Sequence, residues 1–273
     1  MYGEVNGRFV SLRASNGQAS PSIGTIYSEA TAPGLTNHPG SLQLGEGVRI
    51  RPTYFDDFMR LNYSLAYQQF FSPGNSTFSF QRLTADLAHE FAIYKKTTRN
   101  FMPRDNNPNG PDECPTPSDP SKHVCEAISR DREGTVGLRF FLAASMTPGG
   151  NAVPFYFQPT LGGVDINANP SLASYQDFRF RAPNAMFFRQ SLEHSIWGPL
   201  GFSILADEGK VGLRRGDLGS NPWIHSFASG LTLRAGGFPQ VFLLFAWGGN
   251  EGTHTIANVN TSLLGGSARP SLY

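Results

Sequence analysis

Acidic side chains on strand-like segments have the clearest potential for chemistry in this sequence. The segment 183–211 alternates apolar and polar residues, breaks once at 197–199 (Trp-Gly-Pro), and ends on Asp207, Glu208 and Gly209. Two carboxylates held roughly 5 to 9.5 Å apart can hydrolyse a glycosidic bond. The sequence does not give the distance between two carboxylates. This segment therefore has two interpretations: a catalytic carboxylate loop, or a strand in the wall of a barrel.

Other carboxylates lie on the polar faces of alternating segments that also carry arginines. They are Asp86, Glu90 and Glu193. The simplest expectation is that each faces water or pairs with an arginine, because a charge that leaves water needs a partner. The candidate partners are Arg82, Arg139 and Arg189.

Other catalytic signatures are absent from the sequence. It contains no GxSxG nucleophile elbow, no P-loop, no HExxH zinc motif and no GxGxxG in a βαβ setting. Its six histidines are scattered, with no pair at ligand spacing. The sequence therefore predicts a protein that is not an enzyme, with no metal and no cofactor. With a net charge of +1 and no basic run, nucleic acid is not an expected partner.

Two cysteines, Cys114 and Cys125, close the segment CPTPSDPSKHVC. Their spacing differs from the CxxC pair of redox and zinc sites. In an oxidising compartment they are expected to form a disulfide across a small loop, and two free thiols are the alternative.

Period-2 alternation of apolar and polar residues predicts the long strands that position these side chains. In 82–94, leucine, phenylalanine and isoleucine alternate with arginine, threonine, aspartate and glutamate. Several such runs exceed ten residues, whereas strands of globular proteins average about five or six. About twelve strands are predicted, at roughly 5–14, 21–30, 41–54, 58–71, 77–95, 133–147, 152–162, 184–197, 200–211, 224–236, 240–249 and 254–264.

Two architectures produce this alternation. A soluble all-β sandwich turns its apolar face to a core, whereas a transmembrane antiparallel β-barrel turns it to lipid. Charged residues are 16% of the chain, against about 25% in typical soluble domains. The longest apolar runs, such as 241–247, are far shorter than the ~20 residues of a transmembrane helix. Strand length and low charge favour the barrel, as one domain over 1–273.

The longest predicted connection is 97–131, which is rich in proline, asparagine and aspartate and holds both cysteines. Because outer-membrane barrels have short periplasmic turns and longer extracellular loops, this loop is predicted to lie outside the cell. A linker between two domains is the alternative. The first residues, MYGEVNG, show no signal peptide, so export would require sequence upstream of them.

The C-terminal half resembles the BamA/TamA family of bacterial outer-membrane barrels, also called bacterial surface antigens. The matching motifs occur in the family's order: an aromatic strand ending in Gly-Gly, a loop motif, a strand with a late glutamate, a strand ending in Asp-x-Gly, a hairpin with a Gly-Phe-Pro turn, and a closing strand. They lie at 153–163, 169–184, 184–199, 201–211, 226–248 and 254–264.

Barrels of this family have sixteen strands. For this chain the resemblance implies a transmembrane barrel with an inward-folded loop at about 163–183, and a role in inserting or translocating outer-membrane proteins. The family's loop arginine is missing at 172–175, where Tyr175 retains the aromatic. The implied substitutes are Arg179 and Arg181, with Asp207 as the partner on the wall. The family's periplasmic domains are not found in this chain.

The resemblance also implies the partners and the location of the chain. Expected partners are outer-membrane lipid or lipopolysaccharide, and client barrel proteins or other subunits of a membrane complex. The expected location is the bacterial outer membrane. Alternatives are a structural or surface-interaction barrel, a passive pore, or the membrane anchor of a larger complex.

Overall fold

A single antiparallel sheet contains ten long strands in chain order. The structure, a computed structural model, describes residues 1–12, 23–55, 57–103, 124–165, 167–236, 238–249 and 251–259. The strands are β1 (Tyr2–Arg8), β2 (Ser41–Ile50), β3 (Thr53–Tyr54), β4 (Met59–Phe71), β5 (Phe80–Pro103), β6 (Val124–Met146), β7 (Thr160–Leu161), β8 (Phe180–Arg181), β9 (Asn184–Trp197), β10 (Leu200–Gly212), β11 (Ile224–Ala235), β12 (Phe238–Gly249) and β13 (Gly252–Val259). The main sheet runs β1-β2-β4-β5-β6-β9-β10-β11-β12-β13, with β3 paired to β4, and β7 pairs β8 separately. The predicted all-β, antiparallel fold is confirmed.

Two predicted strands are wrong. Residues 21–30 were predicted as a strand, but the described part contains the single helical turn α1 (Ile23–Ile26) followed by turns. Residues 152–162 form a loop with a 3-10 turn at Phe155–Phe157, and only β7 is extended and paired there. Pro154 and Pro159 flank that turn, and a proline cannot donate to a sheet ladder.

The strands β5 and β6 extend far beyond their neighbours and form a two-stranded arm. Pairing of β4 with β5 ends at Phe91, and pairing of β6 with β9 ends at Gly134, but β5 and β6 stay paired up to Pro103 and Val124. Both described ends of the predicted loop 97–131, residues 97–103 and 124–131, are therefore strand. Backbone hydrogen bonds between two strands do not require an apolar face. The remaining residues 104–123, including Cys114, lie outside the described residues, so the disulfide with Cys125 stays a prediction.

The sheet has polar side chains on its covered face and apolar side chains on its exposed face, which is the reverse of a soluble protein. We call the face covered by residues 147–183 the inner face, and the opposite one the outer face. Side chains buried on the inner face are largely polar or charged: Gln43, Gln68, Arg82, Thr84, Arg139, Arg189, Glu193, Ser203, Asp207, Ser226, Thr232 and Arg234. Exposed side chains on the outer face are large and apolar: Leu42, Leu44, Val48, Ile50, Leu65, Phe71, Leu83, Ile204, Phe227, Leu231, Leu233, Leu243, Phe245 and Trp247.

The sheet has two free edges. Within the described residues, strand pairing runs from β1 to β13 and does not return from β13 to β1. Near the β13 edge the inner face is apolar, because Phe242, Leu244 and Ala246 of β12 are buried there with Ile256 of β13 packed against them.

Helices contribute little to the fold. Besides α1, the described residues contain one further α-helical turn, α2 (Asp217–Ser220), in the connection between β10 and β11, and 3-10 turns at Ser76–Phe78 and Phe155–Phe157. Among the described residues, no helix has the length and apolar character needed to cross a membrane.

Candidate functional site

A buried ion pair between β9 and β10 is the centre of the inner face. Arg189 donates to Asp207 through Nε and Nη2, with both N–O distances at 2.7 Å. The two side chains are 1% and 0% exposed. They face each other because β9 and β10 pair in a register that places these residues directly opposite. Two parallel hydrogen bonds between arginine and carboxylate fix both side chains in position.

Two more ion pairs surround this one. Arg139 of β6 lies opposite Arg189 in the register and donates to Asp86 of β5 at 2.9 and 3.1 Å. Arg234 of β11 donates to both oxygens of Glu193 at 2.5 and 2.6 Å. Alternating charge therefore crosses several strands of the inner face. Arg139, Arg234 and Glu193 are buried, so each of these charges depends on its partner to remain stable there.

The inward-folded loop, residues 163–183, contacts this charge cluster through its backbone. The N–H of Ala173 donates to Oδ2 of Asp207 at 3.2 Å, and the N–H of Ser174 donates to Oγ of Ser226 at 2.8 Å. Ser226 is the residue opposite Asp207 in the β10–β11 register. Two neighbouring polar side chains of the sheet, which we also call the wall, thus accept hydrogen bonds from two consecutive amides of the loop. We call residues 163–183 the docking loop.

Apolar side chains complete the docking. Leu172 is fully buried and clusters with Leu161, Tyr175 and the wall residues Phe141 and Phe187. Full burial of one such side chain contributes roughly 1.5–3 kcal/mol to stability. The docking loop is therefore held by packing as well as by hydrogen bonds.

Two glycines of the wall leave room for the docking loop. A Cβ at Gly209 would lie 3.0 Å from Leu161 and 3.1 Å from Leu172. A Cβ at Gly249 would lie 2.8 Å from the ring of Tyr175. The Asp-x-Gly sequence in β10 thus has two functions: Asp207 accepts a hydrogen bond from a loop amide, and Gly209 leaves space for Leu161 of β7 and Leu172 of the docking loop.

Replacing Ser226 with alanine should loosen the docking loop without unfolding the sheet. The change leaves the buried N–H of Ser174 without its acceptor, which costs about 1–3 kcal/mol. Hydrogen exchange should show faster exchange at residues 173–175. Ser229→Ala, on the outer face of the same strand, should leave that exchange unchanged, and equal acceleration in both variants would contradict the prediction.

The predicted pairing of Arg179 or Arg181 with Asp207 is wrong. Arg179 pairs with Glu251 in the β12–β13 turn, and Arg181 donates to the backbone oxygen of Phe155 at 2.6 Å. Asp207 already has Arg189 beside it on the wall, so the loop needs no arginine there. From the resemblance, the arginine that binds Asp207 was expected in the loop. In the structure this arginine is Arg189 of β9, which lies opposite Asp207 in the strand register.

The contact between Glu251 and the docking loop should depend on pH. A hydrogen bond from the N–H of Gln176 and the charge of Arg179 lower the pKa of Glu251 below its ordinary value. A lowered folded-state pKa means that the contact is fully present above the ordinary value of about 4.3 and is lost as pH falls through the lowered pKa. Hydrogen exchange at 176–179, compared with Glu251→Ala, should differ near neutral pH. The difference should vanish on acidification below that pKa, and a difference that persists would contradict the assignment.

The sequence predicted one of these ion-pair partners and missed another. It proposed Arg139 as a partner for the polar-face carboxylates, and Arg139 does bind Asp86. It did not single out Arg234, which lies at the end of β11 and reaches Glu193 two strands away. The available signal was the alternation that places Arg234 on the polar face.

A cavity of about 740 Å³ separates the docking loop from the free β13 edge. Val164, Pro170 and Tyr175 of the loop form one side, and Leu244 and Ile256 contribute to the other. Its lining is mainly apolar, and it lies against a part of the inner face that the loop leaves open.

No family model and no curated protein matches the chain. Among solved structures, the chain is similar to the crystal structure of BamA from Haemophilus ducreyi lacking POTRA domains 1-3, with a TM-score of 0.26 and 11% sequence identity. The similarity covers 81% of this chain and 60% of that chain, so the chain spans less than two thirds of that structure. At this TM-score the function has to be argued from the chain's own side chains.

Proposed function

We propose that this chain forms the wall of a transmembrane β-barrel in the bacterial outer membrane. The observation that carries the proposal is the reversed polarity of the sheet. Leu231 and Leu243, paired across β11 and β12 on the outer face, are 50% and 53% exposed, while Arg189 and Asp207 on the inner face are almost wholly buried. Apolar side chains outside and polar ones inside are the pattern that lipid requires.

A soluble fold does not account for this arrangement. In water, large apolar side chains gain by burial, and charged side chains lose by it unless they are paired. Strand lengths support the membrane: β4, β9, β10 and β11 have 13, 14, 13 and 12 residues, and about 9–11 suffice to cross.

Aromatic side chains at both ends of the strands further support the proposal. Phe58 precedes β4 and Phe71 ends it, and Phe238 and Trp247 lie toward opposite ends of β12; all four are exposed. Membrane barrels carry such aromatic girdles at the two lipid–water interfaces.

Two measurements test the barrel. The full chain should stay with membranes after washing with urea, and after detergent extraction it should migrate differently on gels before and after boiling. A chain found in the soluble fraction, with migration that heating leaves unchanged, would overturn the proposal.

The more specific role we propose is insertion or translocation of outer-membrane proteins, without catalysis by side chains. It is supported by the order of motifs in the sequence and by the free edges of β1 and β13, because a free strand can pair with a strand of another chain. A passive pore has less support, because the docking loop covers part of the inner face.

Photo-crosslinking tests this role. A crosslinking residue at Val5 of β1 or Thr255 of β13 should capture newly exported barrel proteins, whereas one at Leu65 of the internal strand β4 should not. Equal capture at all three positions would contradict a role for the free edges.

The orientation we propose differs from the sequence-based expectation. The connections at the end that holds the docking loop are 9–40, 72–79, 147–183, 213–223 and 250–251. Those at the arm end are 51–58, 104–123, 198–199 and 236–237. Since outer-membrane barrels have their longer loops outside, the docking-loop end is the extracellular one and the arm is periplasmic.

Cysteine labelling on whole cells should reveal this orientation. In a variant with serine at Cys114 and Cys125, a membrane-impermeant maleimide should label Leu213→Cys, which lies at the docking-loop end. It should label Thr53→Cys, at the arm end, only after the outer membrane is permeabilised. The reverse pattern would restore the sequence-based orientation.

A further inference from the structure

A second cavity, of about 430 Å³, opens at the docking-loop end of the sheet. Three connections form its walls, with residues from 30–33, 147–158 and 213–215, together with the end of the docking loop. Its volume lies within the range of pockets that hold small molecules, about 300–1,000 Å³. It shares no lining residue with the larger cavity beside β13.

The lining of this cavity is positively charged. It includes Arg181, Arg214 and Arg215, and no described residue of the lining is a carboxylate. Two carboxylates lie close to it in sequence, and backbone amides engage both. Glu29 accepts hydrogen bonds from the loop after it, including one of 2.5 Å, and Asp217 accepts the N–H of Arg214 at 2.7 Å. The described lining itself therefore carries three guanidinium groups, and the two nearby carboxylates are held outside it by backbone amides.

The donors in the cavity differ in their availability. The side-chain amide of Asn184 donates to Gly212 and Leu213, and that of Gln158 donates to Val153, so both amides hold the walls together. Arg214 and Arg215 are exposed, and across the described ranges neither guanidinium has a hydrogen-bond or ion-pair partner. Two guanidinium groups are thus free to bind a ligand.

A fourth arginine lies directly behind the wall of the cavity. Arg82 is 1% exposed, and its Nε donates at 3.2 Å to Oγ of Ser145, a residue of the cavity lining. Its Nη1 and Nη2 have no hydrogen-bond partner in the part of the chain that the structure describes. Its guanidinium lies over Phe70 and Phe80, which supply no countercharge. A buried charge without a counterion is unfavourable, and an anion in the neighbouring cavity would offset it.

We propose that this cavity binds a phosphate-bearing anion. The planar guanidinium group donates two parallel hydrogen bonds to phosphate oxygens, so adjacent arginines without carboxylates form a phosphate site. The phosphate could come from a phosphorylated glycolipid headgroup or from free phosphate in solution, and both sources present the same chemistry.

Calorimetry on the full chain in neutral detergent tests the site. The probes are inorganic phosphate and mixed micelles that contain a phosphorylated glucosamine lipid. The double variant Arg214→Gln/Arg215→Gln should bind either probe at least about tenfold more weakly, because the loss of even one charge-assisted hydrogen bond weakens binding about tenfold. Both side chains are exposed, so heat-modifiable migration should confirm that the variant still folds.

The matched control is Arg51→Gln/Arg60→Gln, which removes the same charge at the arm end. Its binding should stay within about twofold of the unmodified chain, since distant exposed charges are screened. Tighter binding of the glycolipid than of phosphate, lost in the first variant, would identify a headgroup site. Equal binding of both probes, also lost in that variant, would identify a free-phosphate site.

The proposal is overturned if the unmodified chain binds neither probe, or if the control weakens binding as much as Arg214→Gln/Arg215→Gln. Such a result would leave the barrel unaffected, because the barrel is inferred from the faces of the sheet and not from this cavity.

Discussion

Replacing Asp207 with alanine is expected to destabilise the folded chain by about 3–5 kcal/mol, because it leaves Arg189 as an unpaired buried charge. Both side chains are almost wholly buried and joined by two hydrogen bonds of 2.7 Å. The same change removes the acceptor for the N–H of Ala173, so the docking loop should loosen together with the wall. Urea titration of the chain in detergent or lipid vesicles measures the loss.

The matched controls separate a buried pair from an exposed one. Arg179→Ala breaks the pair with Glu251, in which Arg179 is 53% exposed, and exposed pairs contribute about 0–1 kcal/mol. The double variant Arg189→Met/Asp207→Leu should recover much of the stability lost in Asp207→Ala, since it leaves no unpaired charge. A loss under about 1 kcal/mol for Asp207→Ala would show that water reaches the pair.

Replacing Leu231 with arginine should destabilise the chain by about 2–4 kcal/mol in a bilayer, because an arginine would then face lipid near the middle of the wall. Leu231 lies between Phe202 of β10 and Leu243 of β12, and all three side chains are on the outer face. In a soluble protein the same change at a half-exposed leucine would stay within about 0.5 kcal/mol. The size of the stability loss in Leu231→Arg therefore distinguishes a membrane barrel from a soluble all-β sandwich, which the alternation of residues alone does not.

Leu213→Arg is the control for this second prediction. Leu213 is 77% exposed in the connection between β10 and β11, outside the strands. Arginine there should change the free energy of unfolding by less than about 0.5 kcal/mol. Equal, small effects at Leu231 and Leu213 would contradict the barrel.

The sequence alone predicted the strands of the wall because their signal is local. Alternation places β4, β9, β10 and β11 within about two residues of their observed bounds. Prediction failed at 152–162, where prolines interrupt an apolar segment, and at 97–131, where the paired residues show no alternation in the sequence. In both places pairing depends on the partner strand, which a local pattern does not contain.

Only the tertiary structure decided which face of the sheet is buried and which charges meet. The alternation of 183–211 is the same whether Arg189 and Asp207 point to water or to the inside. Their pairing depends on the β9–β10 register, and the place of Ala173 beside Asp207 depends on a loop that crosses the inner face. The sequence by itself determined the residue types and their period of two, because these are local properties. The partners were decided by contacts between residues far apart in the chain, which no local pattern encodes.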